Sequence, residues 1–492
     1  MDLAAVDYAP VGRRWLYLFI LALVPFMAVL DANIVNVAMP VMCRSLSCSM
    51  RDIQWVATVY IIVVVAVILI FGKLGDGVAG KKALFIFGVG LFTLGSLLCG
   101  TSVSLPMLIL ARALQALGGA AAQSINQALA TLYFPPTERG RAMGILGMSV
   151  AVGAALGTPL GGLIVSHFSW HFIFLINVPF GVMAFFMSVK FLPGERGPDA
   201  GPADAAGPAP RPRFDFAGAL LQMIAFSGIF LAMNLGIGQG YNLPVLSTLL
   251  AGALFLAAFV IVERRAASPI LDFGIFKNKM FSLSLLCAFV AFASTNAILI
   301  IHPFYLQDVL KLGPGAAGWV MMAFPLVAMV TAPISGYASD KLGSGRLTLI
   351  GLCILSAGLF LISLLDQGSR IWVVCLFIAI VSFGNAVFNS PNTSLVMSSV
   401  PRGSLGVAGS LTALTRNLGI ISGITVFTTV FYASMSRDIG YKVGGYVQGR
   451  DDVFIYGMRF AYHAAMVLCL FGAAMTAYRL IKGKKLSGGP EV

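Results

Sequence analysis

Fourteen apolar stretches dominate this chain, at roughly 15–42, 52–72, 83–100, 106–128, 142–165, 170–189, 214–236, 243–262, 281–304, 316–337, 347–365, 371–395, 405–432 and 453–478. At ~1.5 Å rise per residue, each is long enough to cross a ~30 Å hydrocarbon core, some with tilt or polar breaks. Of the 492 residues, 59% are hydrophobic and 10% charged. A water-soluble chain carries roughly 25% charged residues to clothe its surface. A soluble multidomain enzyme is therefore excluded, and an all-α polytopic membrane protein is expected.

The chain holds 32 Lys and Arg against 19 Asp and Glu, a net charge of +13. In a soluble protein that excess would raise nucleic-acid binding, but here its placement matters more, and no nucleic-acid partner is expected. With the N-terminus cytoplasmic, the inner segments hold about three times as many cations as the outer ones, as the positive-inside rule requires. Arg13, Arg14, Lys73, Lys81, Lys82, Arg139 and Arg141 fall inside; Arg44, Arg51, Lys311, Arg370, Arg437, Lys442 and Arg450 fall outside. Both termini are thus expected in the cytoplasm. Trp15, Trp55, Trp170, Trp319 and Trp372 all lie near span starts, as an interfacial aromatic belt would place them. The run after Arg13-Arg14 is too long for a signal-peptide core and lacks a small-residue cleavage site, so the first span is expected to stay.

Residues 193–213, PGERGPDAGPADAAGPAPRPR, break the apolar pattern and read as an extended linker. It separates six spans from eight. A short internal repeat relates GKLGDGVAGKKALF (72–85) to GYASDKLGSGRLTLIG (336–351), which makes Asp76 and Asp340 equivalent. Duplicated halves are a common plan for secondary transporters. GDGVAGKK (75–82) nearly spells a phosphate-binding loop, but Lys82 stands where the Mg²⁺-binding hydroxyl belongs, and no strand–helix unit surrounds it. Energy is expected from an ion gradient, with no cofactor and no metal. Five of the seven cysteines lie within spans as small apolar residues; Cys43 and Cys48 share an outer loop, as two free thiols or as a disulfide. His167, His171, His302 and His463 sit at span ends and read as ordinary interfacial contacts.

Among the 19 acids, Asp31 is the one placed deep inside a span. A carboxylate in hydrocarbon costs several kcal/mol and marks a functional site with a water path or a partner. Burial favours the protonated form of a carboxyl group, so an acid in this position is a candidate proton carrier. Such a carrier has to meet water; sealed away from it, Asp31 would be a packing acid paired with Asn33 or Asn36. Arg112 is the matching mid-span cation, either charged partner or static strut to backbone carbonyls. Gln115, Gln123, Asn126 and Gln127 give the same helix further polar positions for water or substrate, and Asn33, Asn36, Gln115, Gln123 and Asn126 are candidates for a substrate cavity. Asp76 is a candidate gate, accepting hydrogen bonds from the third span and pairing with Arg139 or Arg141, with Asp340 as its counterpart. Arg416 is a second deep cation. Asn296, Phe289, Phe292 and Phe388 are candidate cavity residues, beside core packing as the default for any Phe. In GAALGTPLGG (153–162), Gly153, Gly157, Gly161 and Gly162 permit close helix packing, and Pro159 removes a backbone hydrogen bond.

Four patches carry a family likeness: LDANIVNVAMP (30–40), GKLGDGVAGKK (72–82), LARALQALGGAAAQ (110–123), and GAALGTPLGG followed by SWHFIFLINVPFG (169–181). With them the chain resembles the major facilitator superfamily, and within it the fourteen-span drug:proton antiporters of the EmrB/QacA type. It departs at Gly77, Ala79-Gly80, Ala116 and Thr158-Pro159. The resemblance implies two six-helix bundles, 1–192 and 264–492, with two extra spans at 214–263 between them. It further implies a monomer in a bacterial inner or plasma membrane that exports small amphipathic or cationic molecules against protons by alternating access. Asp31 would then couple protons, Arg112 would bias it across a central cavity, and the fifth-span motif would mark an antiporter. An exporter or uniporter of a lipid-like or metabolite substrate is the alternative, and a non-transporting receptor or scaffold a more distant one.

Overall fold

The computed structural model describes residues 11–77, 79–194, 215–239, 242–266 and 268–487. Those residues form helices and connecting turns, with no strand among them. In chain order the helices are α1 (Val11–Ser45), α2 (Met50–Ile53), α3 (Trp55–Asp76), α4 (Lys81–Gly100), α5 (Leu105–Tyr133), α6 (Arg139–His167), α7 (Phe172–Leu175), α8 (Asn177–Phe191), α9 (Phe216–Gln239), α10 (Leu243–Glu263), α11 (Lys279–Phe304), α12 (Pro314–Met321), α13 (Ala323–Leu342), α14 (Ser344–Ser363), α15 (Ile371–Ser398), α16 (Leu405–Ile439) and α17 (Asp451–Ser487). They build 14 helical segments long and apolar enough to cross a membrane, at the places the apolar stretches predicted. The linker expected at 193–213 lies, from 195 on, outside the described residues.

Polar caps mark where several spans begin. Ser104 Oγ accepts from Met107 N, and Pro106 follows at the start of α5. Asn242 and Asn278 cap α10 and α11 in the same way. Each cap satisfies amides that would otherwise face the end of the helix unpaired.

The helices fall into two compact units. Unit one comprises residues 1–142, 153–277 and 397–414; unit two comprises 143–152, 278–396 and 415–492. The two additional helices, α9 and α10, belong to unit one, where Gln222 Nε2 donates to Ala66 O of α3 at 3.1 Å. The start of α16 also belongs to unit one, while its remainder belongs to unit two.

Glycines set the closest crossings. In unit one, a Cβ on Gly88 of α4 would lie 2.5 Å from Ala122 N, one on Gly95 2.5 Å from Gln115 Cα, and one on Gly118 of α5 2.2 Å from Phe92 N. Unit two repeats the pattern at the same sequence spacing: Gly351 meets Phe388, Gly358 meets Val381, and Gly384 meets Leu355. The repeat glimpsed around Asp76 and Asp340 thus extends through the next two helices of each unit. Backbone cannot retreat as a flexible side chain can, so Gly118→Ala should overpack the α4–α5 crossing and destabilise the protein by about 1–3 kcal/mol. Thermal unfolding in detergent would read this as a lowered midpoint; an unchanged midpoint would mean the crossing is looser than described.

The fifth-span glycines divide. Those at 153, 157 and 161 face α1, where a Cβ would meet Phe26 O at 2.7 Å, Asn33 Cβ at 2.6 Å and Ile34 Cα at 3.2 Å. Gly162 has nothing within 4 Å, so the packing role expected of it is not seen. The α6 helix continues through Pro159.

Candidate functional site

Asp31 sits past the middle of α1, with 0% of its surface exposed. Its Oδ2 accepts from Arg112 Nη1 at 2.6 Å. Its Oδ1 accepts from Gln115 Nε2 at 3.1 Å and from Asn177 Nδ2 at 3.0 Å. Three donors from α5 and α8 therefore converge on one carboxylate. Charge-assisted hydrogen bonds of this kind are roughly twice as strong as neutral ones, and they stand in for the water that burial removes.

Arg112 is held just as fully. Beyond Asp31, its Nη1 donates to Gln115 Oε1 at 2.6 Å and its Nε to Val56 O at 3.0 Å. The guanidinium carbon lies 4.7 Å from the Tyr60 ring centre and 5.6 Å from that of Phe174, within cation–π range. The two readings of Arg112 coexist: it is both the partner of the acid and a strut to a backbone carbonyl. Gln115 Nε2 also donates to Ser96 Oγ at 2.8 Å, which extends the network to α4. Asp31, Gln115, Ser96 and Asn177 have no exposed surface, and Arg112 has 2%. The acid and its partners therefore have almost no surface open to solvent.

The duplicated glycine crossings make the asymmetry of the site visible. By their register, Arg112, Gln115 and Ser96 of unit one correspond to Ile378, Val381 and Leu359 of unit two. Those three belong to the apolar core of unit two, each fully buried. One architecture thus carries a polar cluster in one copy and hydrocarbon in the other.

Other sequence candidates lie elsewhere. Asn33 donates to Val29 O of its own helix, and Asn36 is exposed, so neither partners Asp31 as the packing reading supposed. Asn126 is a strut, donating to Leu21 O at 2.8 Å, which corrects its expected place on a cavity wall. Gln123 is half-buried. In unit two, Phe388 is fully buried at the α14–α15 crossing, so it is a core residue and not a pocket wall. Phe289 and Phe292 are half-buried, Asn296 donates to Phe292 O one turn back, and Arg416 is half-buried on α16.

Asp76 takes one partner from the start of the third span, as expected, and two from outside it. It pairs with Lys81 Nζ at 2.9 Å in place of Arg139 or Arg141. Its Oδ1 and Oδ2 accept from Gly406 N and Val407 N, each at 2.8 Å, in the first turn of α16. A carboxylate is favoured there because the amides are otherwise unsatisfied and the helix dipole is positive. The approach needs small residues: a Cβ on Gly72 would meet Gly406 O at 2.6 Å. Nearby, Glu138 pairs with Arg14 at 2.8 Å. Asp340 is half-buried near the end of α13. Gly80 and Gly343, which follow the two repeat aspartates, both have positive φ (72° and 87°), so the two turns share a backbone device that favours glycine. Asp76→Asn should speed amide exchange in the peptide containing Gly406 and Val407 by ~10-fold, because hydrogen bonds to a charged group contribute roughly 1.5–3 kcal/mol. Unaltered exchange would show that the carboxylate does not secure this turn.

Sequence reasoning missed Asn177, Ser96, Tyr60 and the Val56 carbonyl. Asn177 had a signal, an amide inside the apolar run Leu175-Ile176-Asn177-Val178. The others had none, since Ser, Tyr and backbone occur throughout such spans.

Stacked apolar helices, duplicated crossings and a buried cluster built around an ion pair are those of a helical membrane protein. The comparisons agree. Residues 21–424 and 284–489 match the family profile described as Major Facilitator Superfamily, and the chain belongs to that family. It is 31% identical over 473 residues to the riboflavin transporter RibZ of Clostridioides difficile, covering 96% of this chain and 99% of that one. It is 30% identical to the multidrug resistance protein Stp of Mycobacterium tuberculosis, over 84% of this chain and 75% of that one. The tetracenomycin C resistance and export protein of Streptomyces glaucescens is also 30% identical, over 87% and 78%. Among solved structures, the human organic anion transporter MFSD10 superposes with a TM-score of 0.66 at 14% identity, covering 95% of this chain and 100% of that one, which speaks to the fold alone.

Proposed function

We propose that this chain is a proton-coupled efflux antiporter of the fourteen-span type, exporting amphipathic or cationic small molecules, with Asp31 as the proton carrier. The observation that carries this reading is the Asp31 cluster: an acid in the membrane interior, with Arg112 and two amides as its donors. A guanidinium stays charged whatever its surroundings, so only the carboxyl can change charge within the pair. Protonation cancels the attraction that binds α1 to α5 and releases Arg112, and deprotonation restores it. Asp31 has no exposed surface here, which by itself fits a packing acid, so the carrier reading requires a second conformation that opens the acid to water. The energy source is the proton gradient, with no cofactor. The working unit is a monomer in the bacterial plasma membrane, with both termini cytoplasmic. Relatives named for multidrug resistance and drug export favour this substrate class.

A second reading concerns the substrate. The relative that aligns over nearly its whole length is named a riboflavin transporter, which favours a planar metabolite. One assay separates the two. Purified protein in proteoliposomes is given cationic, neutral and anionic amphiphiles and riboflavin, and substrate-dependent proton flux is followed with a trapped pH dye. Flux with the cationic amphiphiles supports the first reading; flux with riboflavin alone supports the second. Transport of any substrate without proton movement overturns the coupling.

A further inference from the structure

We propose that Cys43 and Cys48 are a modification site, a dithiol pair that closes to an intrachain disulfide across the turn ending α1. The turn itself places them together. Cys48 N donates to Cys43 O at 3.1 Å and Ser47 N to Arg44 O at 3.4 Å, while Ser47 has φ 50°. These are the paired bonds and the left-handed residue of a Schellman helix end, in which the side chains at the two positions held here by Cys43 and Cys48 commonly touch. The sulfurs lie accordingly: Cys43 Sγ donates to Cys48 O at 2.7 Å, and Cys48 Sγ to Cys43 O at 3.8 Å. Both residues are half-buried free thiols, beside exposed Arg44, Ser45, Ser47 and Ser49. A disulfide reagent therefore has access.

The reaction is an exchange with an extracytoplasmic oxidant that carries a reactive disulfide. One cysteine thiolate attacks the oxidant's disulfide, breaking it and forming a mixed disulfide. The other cysteine attacks the first, forming the Cys43–Cys48 bond and expelling the oxidant's second sulfur. Two hydrogens pass from the pair to the oxidant, which leaves as a dithiol. Burial, the neighbouring Cys43 and Asp52 hold the Cys48 thiol above the usual thiol range.

The staple sits over the functional cluster. Cys43, Leu46 and Cys48 pack on an apolar group that contains Val56 and Phe174, two of the residues that touch Arg112. Trp170 Nε1 adds a bond to Ser45 Oγ at 3.0 Å. Closing the ring fixes the end of α1 above the Asp31 site, so transport is expected to respond to the redox state of the pair.

This inference rests on the outward placement of the α1–α2 turn, and the test keeps the two apart. The full chain is expressed in a bacterium with an oxidising periplasm; membranes are blocked with N-ethylmaleimide and digested with trypsin without reductant. Trypsin cuts after Arg44, between the cysteines, so the peptide Ser45–Arg51 stays joined to the peptide ending at Arg44 only through a disulfide. The expected result is that joined species, lost with dithiothreitol and lost in Cys43→Ser. Blocked, separate peptides from wild-type protein overturn the proposal. Separately, intact cells are reduced and treated with a membrane-impermeant maleimide. Labelling of Cys43 or Cys48 from outside supports the topology, and labelling only in inverted vesicles overturns it and the disulfide together. The Cys43→Ser/Cys48→Ser variant, checked by size-exclusion profile, should unfold several degrees below the oxidised wild type and match the reduced one. Equal midpoints for all three would mean that the bond constrains nothing.

Discussion

Asp31→Asn is expected to abolish substrate-dependent proton flux in proteoliposomes while leaving protein in the membrane. Asn keeps the shape and one acceptor oxygen, but it can neither carry a proton nor balance Arg112. The first loss removes coupling at every pH. The second leaves a buried guanidinium without its counter-charge, which can lower protein yield and imitate a transport defect. The double variant Asp31→Asn/Arg112→Gln separates these effects. It removes both charges, so its thermal midpoint should recover toward wild type while proton flux stays absent. Normal proton-driven export by Asp31→Asn, or recovered flux in the double variant, would refute the assignment of Asp31 as carrier.

Arg112→Met should give the largest loss of stability. It leaves the Asp31 carboxyl buried without its counter-charge, with only the Gln115 and Asn177 amides as donors. Breaking one side of a buried pair costs about 3–5 kcal/mol, since the remaining charge is uncompensated. Arg112 also binds Val56 O and lies against two aromatic rings, so Arg112→Lys is not conservative. The expected order of thermal midpoints in detergent is wild type, then Lys, then Met. A Met variant as stable as wild type would show that Asp31 finds other compensation, or is protonated, in the resting state.

How much of this was legible beforehand follows from the physics of each signal. The spans were readable because crossing hydrocarbon demands about 20 apolar residues in a row, a local property of the chain. Asp31 and Arg112 stood out for the related reason that charge in such a run is costly wherever the run packs. An influence of Arg112 on Asp31 across a cavity was an expectation drawn from the family likeness, and their direct contact was not legible, since residues so far apart in sequence share no local pattern. Asn177 went unnoticed because a lone amide in a span is common. Phe388 and Asn126 were misplaced because composition names a residue but not the helix face it occupies. Asp76 was read as a candidate gate, and beside Lys81 two of its partners come from a turn more than three hundred residues away. A negative group beside a helix end seeks unsatisfied amides, and only the folded chain says whose amides are near.

The chain's own order of residues determined that it lives in lipid, how many times it crosses, and which charges would be expensive to bury. Tertiary structure alone decided that one acid would gather three donors from two other helices while the matching register of the second unit was filled with hydrocarbon. The reason is one of range. Transfer into a bilayer is summed along a segment, whereas a buried charge is stabilised by neighbours that only packing can bring within about 3 Å.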